Sequence, residues 1–245
     1  MLYETVSRKP LGNRTTDSVL HLWGDPALHD LSCINVLSWV GAIIMIRYLQ
    51  VILTKCGIPT TITRFGLKWY CPSFEEMWRA ETLYEKEPET IAWINTMPVG
   101  SVLWDIGANV GTYSLYALSR GIRVVCFEPD NRVNAILEKN LELNHMIAPV
   151  HKIALGEDID YSLVPQPQYI KIDTDGFEIP ILKGLDPVLI TVRELSVELD
   201  PPSRTNIISI LENYGYSIVS ESRSAMMDNT QYAPFTNAIF RKTIG

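Results

Sequence analysis

The run Ser-Val-Leu-Trp-Asp-Ile-Gly-Ala-Asn-Val-Gly-Thr-Tyr-Ser, residues 101 to 114, constrains the fold more than any other stretch of the chain. Val102 to Ile106 is mostly apolar and of strand length. Gly107 and Gly111 mark a tight turn after it, and a helical pattern begins at Thr112. A second apolar strand, Arg123 to Phe127, ends on Glu128. That acidic residue stands about 20 residues past Gly107, the separation at which a carboxylate reaches the two hydroxyls of a ribose. The alternation then continues. Helix Arg132–Leu143, strands Val150–Ala154 and Tyr169–Ile172, helix Phe177–Lys183, strand Glu194–Glu198, helix Ser203–Tyr214 and strands Ser217–Glu221 and Asn237–Arg241 are expected in turn. Strands alternating with helices predict an α/β fold around a doubly wound, mainly parallel sheet. Ligands in such sheets bind beyond the carboxyl ends of the strands, where the Asp105–Gly111 turn falls.

The glycine spacing narrows the ligand. A dinucleotide turn needs G-x-G-x-x-G, so that pyrophosphate can approach the backbone. Counted from Gly107, the other two places hold Asn109 and Thr112. The pattern is instead Asp-x-Gly-x-Asn-x-Gly, which suits a nucleoside carrying a zwitterionic amino-acid tail. Helix-start amides can take the carboxylate of such a tail, and Asp105 its amino group. S-adenosylmethionine has this form. The plain alternative is an ordinary strand-to-helix turn capped by Asn109 or Thr112, which the placing of Glu128 disfavours. A nicotinamide oxidoreductase is more distant still.

Upstream, residues 1–30 are polar and broken by Pro10, Gly12, Gly24 and Pro26, without the apolar core of a secretory signal. Residues 31–97 are expected to form an N-terminal extension of helices and a hairpin, and 98–245 the cofactor-binding domain. Leu31–Ile46 is uncharged, and its apolar pattern resumes through Leu53. Its sixteen uncharged residues include Ser32, Asn35, Ser38 and Gly41. That is short of the about 18–20 apolar residues of a membrane span. A helix buried against the domain or a partner subunit is the favoured reading over a membrane-associated one, and a homo-oligomer is expected. Pro59–Tyr70 predicts a hairpin around Gly66. Ser73–Asn95 predicts helix capped by Ser73 and broken at Pro88. Cys33, Cys56, Cys71 and Cys126 show neither paired spacing nor a histidine cluster, which suggests a reducing, cytoplasmic setting. The formal charge of −7 argues against a nucleic-acid partner and leaves a small-molecule acceptor.

Later strand ends add more carboxylates. In Tyr-Ile-Lys-Ile-Asp-Thr-Asp-Gly-Phe-Glu, residues 169 to 178, Lys171 and Asp173 face one side of the sheet by strand alternation. A lysine inside a buried strand is costly unless paired. Asp175 and Glu178 also fit a helix-capping arrangement. Glu198 and Asp200 end the next strand. A hard cation such as magnesium could sit between Asp173 and Asp200, although a turn before Pro201-Pro202 is the simpler use of Asp200.

At these residues the chain resembles the FkbM-type family of S-adenosylmethionine-dependent methyltransferases. The matching stretches are Lys86-Glu87-Pro88-Glu89-Thr90 with Trp93-Ile94, Trp104 to Gly111, Phe127-Glu128-Pro129, Ile170 to Gly176, Ile181-Leu-Lys-Gly184 and Asn237 to Arg241. Together they span about Arg64 to Lys242. The resemblance implies a class I, Rossmann-like methyltransferase fold and O-methylation of a small molecule, a sugar or natural product, with S-adenosylhomocysteine as by-product. It implies cofactor contacts at Asp105, Gly107, Ala108, Asn109, Gly111, Glu128 and Pro129, and at Ala154 and Leu155. Catalytic roles fall to Asp173, Lys171 and Glu178, with Asp173 orienting or deprotonating the acceptor. One departure stands out: only Gly156 to Gln168 links the Ala154-Leu155 strand to the next, where relatives carry a longer segment. A more open site, completed by the N-terminal helices or another subunit, is the expected consequence. Two rival readings remain: a magnesium-dependent O-methyltransferase using Asp173 and Asp200, and a non-catalytic partner protein of the same fold.

Overall fold

The computed structural model describes residues 33–155, 164–223 and 234–243. The polar segment 1–30 lies outside them, as do residues 156–163 of the short link and residues 224–233. The chain divides into two units, Met1–Leu49 and Gln50–Gly245. Helix α1 (Cys33–Lys55) crosses that boundary. In the first unit Ile43, Ile44, Met45, Ile46, Tyr48 and Leu49 are exposed. No helix among the described residues is long and apolar enough to cross a membrane.

The second unit opens with the end of α1, where Thr54 is buried and Val51 packs on the core. The expected hairpin follows, β1 (Thr60–Arg64) paired antiparallel with β2 (Leu67–Cys71). Its two turn residues, Phe65 and Gly66, both have positive φ, 54° and 78°, the geometry that matches a two-residue turn to strand twist. Helix α2 (Phe74–Glu81) begins at the expected cap. Ser73 accepts from the Glu75 amide, and the Glu76 carboxylate accepts from the Ser73 amide at 3.1 Å. Thr82 then breaks the run, and the short α3 (Leu83–Lys86) precedes α4 (Pro88–Thr96), which starts on the proline expected to divide the helices.

A seven-stranded sheet forms the centre. Its strands are β3 (Val102–Ile106), β4 (Arg123–Phe127), β5 (Val150–His151), β6 (Tyr169–Ile172), β7 (Glu194–Leu199), β8 (Tyr216–Ser222) and β9 (Thr236–Lys242), in the order β5-β4-β3-β6-β7-β9-β8. The first five are mutually parallel, and β9 runs antiparallel to both β7 and β8. Between the strands lie α5 (Thr112–Ser119), α6 (Asn131–Leu143), α7 (Glu178–Gly184), α8 (Asp186–Leu189) and α9 (Arg204–Asn213). This is the doubly wound, mainly parallel architecture that the alternation predicts.

Period-two alternation divides the core. Val102, Trp104 and Ile106 enter one cluster with Val125, Phe127 and the apolar sides of α7, α8 and α9. Leu103 faces the other way and joins a second cluster with the hairpin, α2, α4, α5 and α6. The hairpin and N-terminal helices therefore share a core with the sheet. Strand β5 is shorter than expected. It pairs only with Cys126 and Phe127, because β4 ends at Phe127, ahead of Glu128-Pro129, and leaves no further ladder partner. Helix α8, a single turn starting at Asp186-Pro187, is not anticipated from the sequence.

Candidate active site

On the face of the sheet toward α5, the carboxyl ends of β3, β6 and β7 and the amino end of the antiparallel β9 carry a row of polar side chains. Strand register places Asp105 beside Lys171. Lys171 lies beside Ser196, and Glu198 beside Asn237. Lys171 is fully buried, yet its ammonium lies 2.6 Å from Asp173 and 5.0 Å from the ring centre of Tyr113. Burial alone would depress the Lys171 pKa. The surrounding Asp173, Glu87 and Asp105 carboxylates reverse that and hold the ammonium above its ordinary value. Burial likewise opposes ionisation of Asp173, but Lys171, helped by Lys86 and Arg79, keeps its carboxyl well below the usual range. The pair satisfies the condition that a lysine in such a strand demands.

The turn between β3 and α5 closes one side. Gly107 and Ala108 amides both donate to the Phe127 carbonyl, at 2.9 and 3.1 Å. A side chain at Gly107 would meet the Asp173 carbonyl at 1.9 Å, so the two strand tips touch through the missing Cβ. Asn109 sits at φ 50°, a left-handed position asparagine tolerates. Glu128 accepts from the amides of Asn109 (3.0 Å) and Asp130 (2.9 Å), bracing the turn while leaving lone pairs on each oxygen. Asp105 is buried and accepts from Ser114 Oγ at 2.6 Å through one oxygen. Its other oxygen has no hydrogen-bond partner among the described residues. Burial raises the Asp105 pKa, with Lys171 and Ser114 opposing.

Asp105, the turn after it and the Lys171–Asp173 pair border a cavity of about 350 Å³. Of the residues expected from sequence, Asp105, Gly107, Ala108, Asn109, Lys171 and Asp173 line it. Gly111, Glu128, Pro129, Ala154, Leu155 and Glu178 do not. Leu155 belongs to the apolar core, and Ala154 is exposed. Glu178 is buried and accepts from the Thr174 amide (3.0 Å), the Thr174 hydroxyl (2.8 Å) and the Gly176 amide (3.3 Å), which shapes the loop bearing Asp173 and Asp175. Asp200 accepts from the Ser203 amide at 3.2 Å and does not line the cavity. Among the described residues, no cluster of three or more histidine, cysteine, aspartate or glutamate side chains is placed to hold a metal ion.

The opposite wall is one that sequence reasoning did not assign. Trp78, Arg79, Lys86 and Glu87 come from α2, α3 and the start of α4, and Phe235 to Asn237 from the approach to β9. Glu87 is buried, pairs with Lys86 at 3.0 Å and accepts from Thr90 Oγ1 at 3.1 Å. The Glu-Pro-Glu-Thr motif was visible as a helix start, but its inward carboxylate needed the fold to show it. Tyr113 also lines the cavity. Its hydroxyl has no partner among the described residues, and burial holds its pKa well above the ordinary value.

The residues fit S-adenosylmethionine. A desolvated carboxylate oxygen without a donor, Asp105 Oδ1, suits an ammonium group. The first turn of α5 has no side-chain cap, so its amides remain for a carboxylate. Fold and site define a class I, Rossmann-like, S-adenosylmethionine-dependent methyltransferase. Comparison with known proteins agrees. The chain is 22% identical over 187 residues to the hexuronic acid methyltransferase AglP of Haloferax volcanii, a match covering 60% of this chain and 78% of that protein. The magnesium protoporphyrin IX methyltransferase of Synechocystis, solved with bound S-adenosylmethionine, shares the fold at a TM-score of 0.51 and 14% identity, over 69% of this chain and 82% of that one. A tRNA methyltransferase of M. jannaschii superposes at a TM-score of 0.52 and 14% identity, over 76% of this chain and 57% of that one. No family model matches the chain.

Proposed function

We propose that this chain is an FkbM-type O-methyltransferase that transfers the methyl group of S-adenosylmethionine to a hydroxyl of a sugar, with acidic sugars the first class to test. The observation that carries the reading is the buried Lys171–Asp173 pair at the strand tips, facing Asp105 and its unpartnered oxygen across the Gly107 turn. Asp105 and the first-turn amides of α5 hold the amino-acid tail of the cofactor, while Gly107, Ala108 and Asn109 give it close backbone approach. Glu128 reaches the ribose from the base of the same turn. When bound, S-adenosylmethionine supplies an electrophilic methyl group and leaves as S-adenosylhomocysteine.

The chain's own residues supply alignment. Asp173 is fixed by Lys171 and can accept a hydrogen bond from an acceptor hydroxyl, restricting it to the in-line approach that methyl transfer needs. Arg79 and Lys86 lie close enough across the cavity to lower the Asp173 pKa, and they offer positive charge to an acceptor carboxylate. The similarity to a hexuronic acid methyltransferase supports that class. Magnesium is not part of this reading, since Asp200 is engaged by Ser203 and Asp173 by an ammonium.

The experiment is calorimetric titration with S-adenosylmethionine, followed by an acceptor screen of uronic acids and neutral sugars with labelled methyl donor. Saturable binding and label in an ether product support the reading. Absence of binding overturns it.

A further inference from the structure

Glu198 has no part in the contacts described so far. It lies near the end of β7, and the pairing of Ile172 with Val197 brings it beside Asp173 at the next position. Val197 and Leu199 are buried in the core below the sheet, so Glu198 projects from the face that carries Lys171 and Asp173. On its other side β9 supplies Asn237, and Glu198 and Asn237 both line the cavity. Asp173 is committed to Lys171, and Glu178 to its own loop. The Glu198 side chain makes no hydrogen bond or ion pair with another described residue.

We infer that Glu198 is the catalytic base of the transfer, taking the proton of the acceptor hydroxyl that Asp173 orients. The inference rests on the methyltransferase reading of the site. The acceptor O–H bond breaks and its proton goes to a Glu198 carboxylate oxygen; the freed pair on the acceptor oxygen forms the bond to the methyl carbon, whose bond to sulfur breaks with its pair on sulfur.

This moves a role that sequence reasoning gave to Asp173. A carboxylate beside a buried ammonium is stabilised as the anion and is a weak base. Glu198 is in the opposite position. Its own burial and the facing Asp173 carboxylate, joined by Asp175 and Glu178 from the following loop, raise it to about 8, with only Lys171 opposing. Asn237 across on β9 is uncharged, and Asp200 on the same chain segment is bound to Ser203. A cation brought into the cavity lowers the Glu198 value and readies it as an anion near neutral pH.

The test begins without acceptor. Protein labelled with carboxyl-¹³C glutamate is titrated by NMR, and one carboxyl is expected to titrate near pH 8 and to vanish in Glu198→Gln. With methyl glucuronoside and neutral methyl glycosides as acceptors, Glu198→Gln should lower kcat about 10²–10³-fold, and Glu198→Asp should recover part of the loss. S-adenosylmethionine affinity by calorimetry should stay within about twofold, which shows that the variant is folded and the cofactor side intact. The inference is overturned if every glutamate titrates in the ordinary range, or if Glu198→Gln turns over like the parent. Failure of the parent protein to bind S-adenosylmethionine is a different result, and it removes the reading of the site itself.

Discussion

Gly107 and Gly111 look alike in sequence, and both adopt positive φ, but the structure separates them. A Cβ at Gly107 would lie 1.9 Å from the Asp173 backbone oxygen, which cannot yield without moving a central strand. At Gly111 the obstruction is the tip of Leu137 at 2.4 Å and of Leu115 at 2.8 Å, side chains that can shift. Gly107→Ala is therefore expected to cost about 3–4 kcal/mol in urea unfolding and to abolish cofactor binding, and Gly111→Ala about 1–2 kcal/mol. Lys171 gives a second residue-scale prediction. Lys171→Met leaves Asp173 facing buried carboxylates without the ammonium at 2.6 Å, a loss of about 3–5 kcal/mol at neutral pH. The Asp173 pKa is depressed in the folded protein. Its pairing stabilises above the ordinary aspartate value and is lost as pH falls through the depressed one. The stability gap between the parent and Lys171→Met should thus narrow in acid, as followed by thermal unfolding from neutral pH down to about 2.

At the scale of elements, the Ser73 capping box sets where α2 begins, and α2 brings Trp78 and Arg79 to the cavity wall. Ser73→Ala removes a cap and should lower stability by about 1 kcal/mol in urea unfolding. The same variant should weaken acceptor affinity more than cofactor affinity, because the cofactor side is built on β3 and α5. Ser73 was legible as a cap because its chemistry is local, as were the Phe65-Gly66 turn and the Pro88 helix start. Strands β3, β4 and β6 were legible because five or fewer mostly apolar residues between turn signals leave little choice. Strand β5 was read too long because its length depends on where β4 stops offering partners, which no local pattern records. The site divides the same way. Asp105, Gly107 and Asn109 are read from one turn, whereas Glu87 and Glu198 are brought in by packing across the chain. Glu178, read as a catalytic carboxylate, accepts three hydrogen bonds within its own loop through Oε1.

For the molecule as a whole, the fold leaves the acceptor open, and the proposed sugar acceptor is tested through charge. The same architecture serves a tRNA methyltransferase and a porphyrin methyltransferase, so shape alone does not choose. The chain carries a formal charge of −7. The cavity is lined by six carboxyl groups, Glu75, Glu87, Asp105, Asp173, Asp175 and Glu198, against Arg79, Lys86 and Lys171. A polynucleotide needs a continuous basic track to release its counterions, and these three cations do not make one, since Lys171 is buried in its ion pair and Lys86 is paired with Glu87. A uronic acid carries a single carboxylate, and Arg79 and Lys86 stand at the cavity wall near it, paired at 2.8 Å with Glu75 and at 3.0 Å with Glu87. Fluorescence anisotropy with labelled tRNA at about 150 mM salt should therefore show no saturable binding below about 10⁻⁴ M, the range of non-specific association. Methyl label should remain with the sugar when tRNA is present in the acceptor assay. Label recovered in the tRNA would assign the acidic wall to some other duty and place the chain with the nucleic-acid enzymes that share its fold.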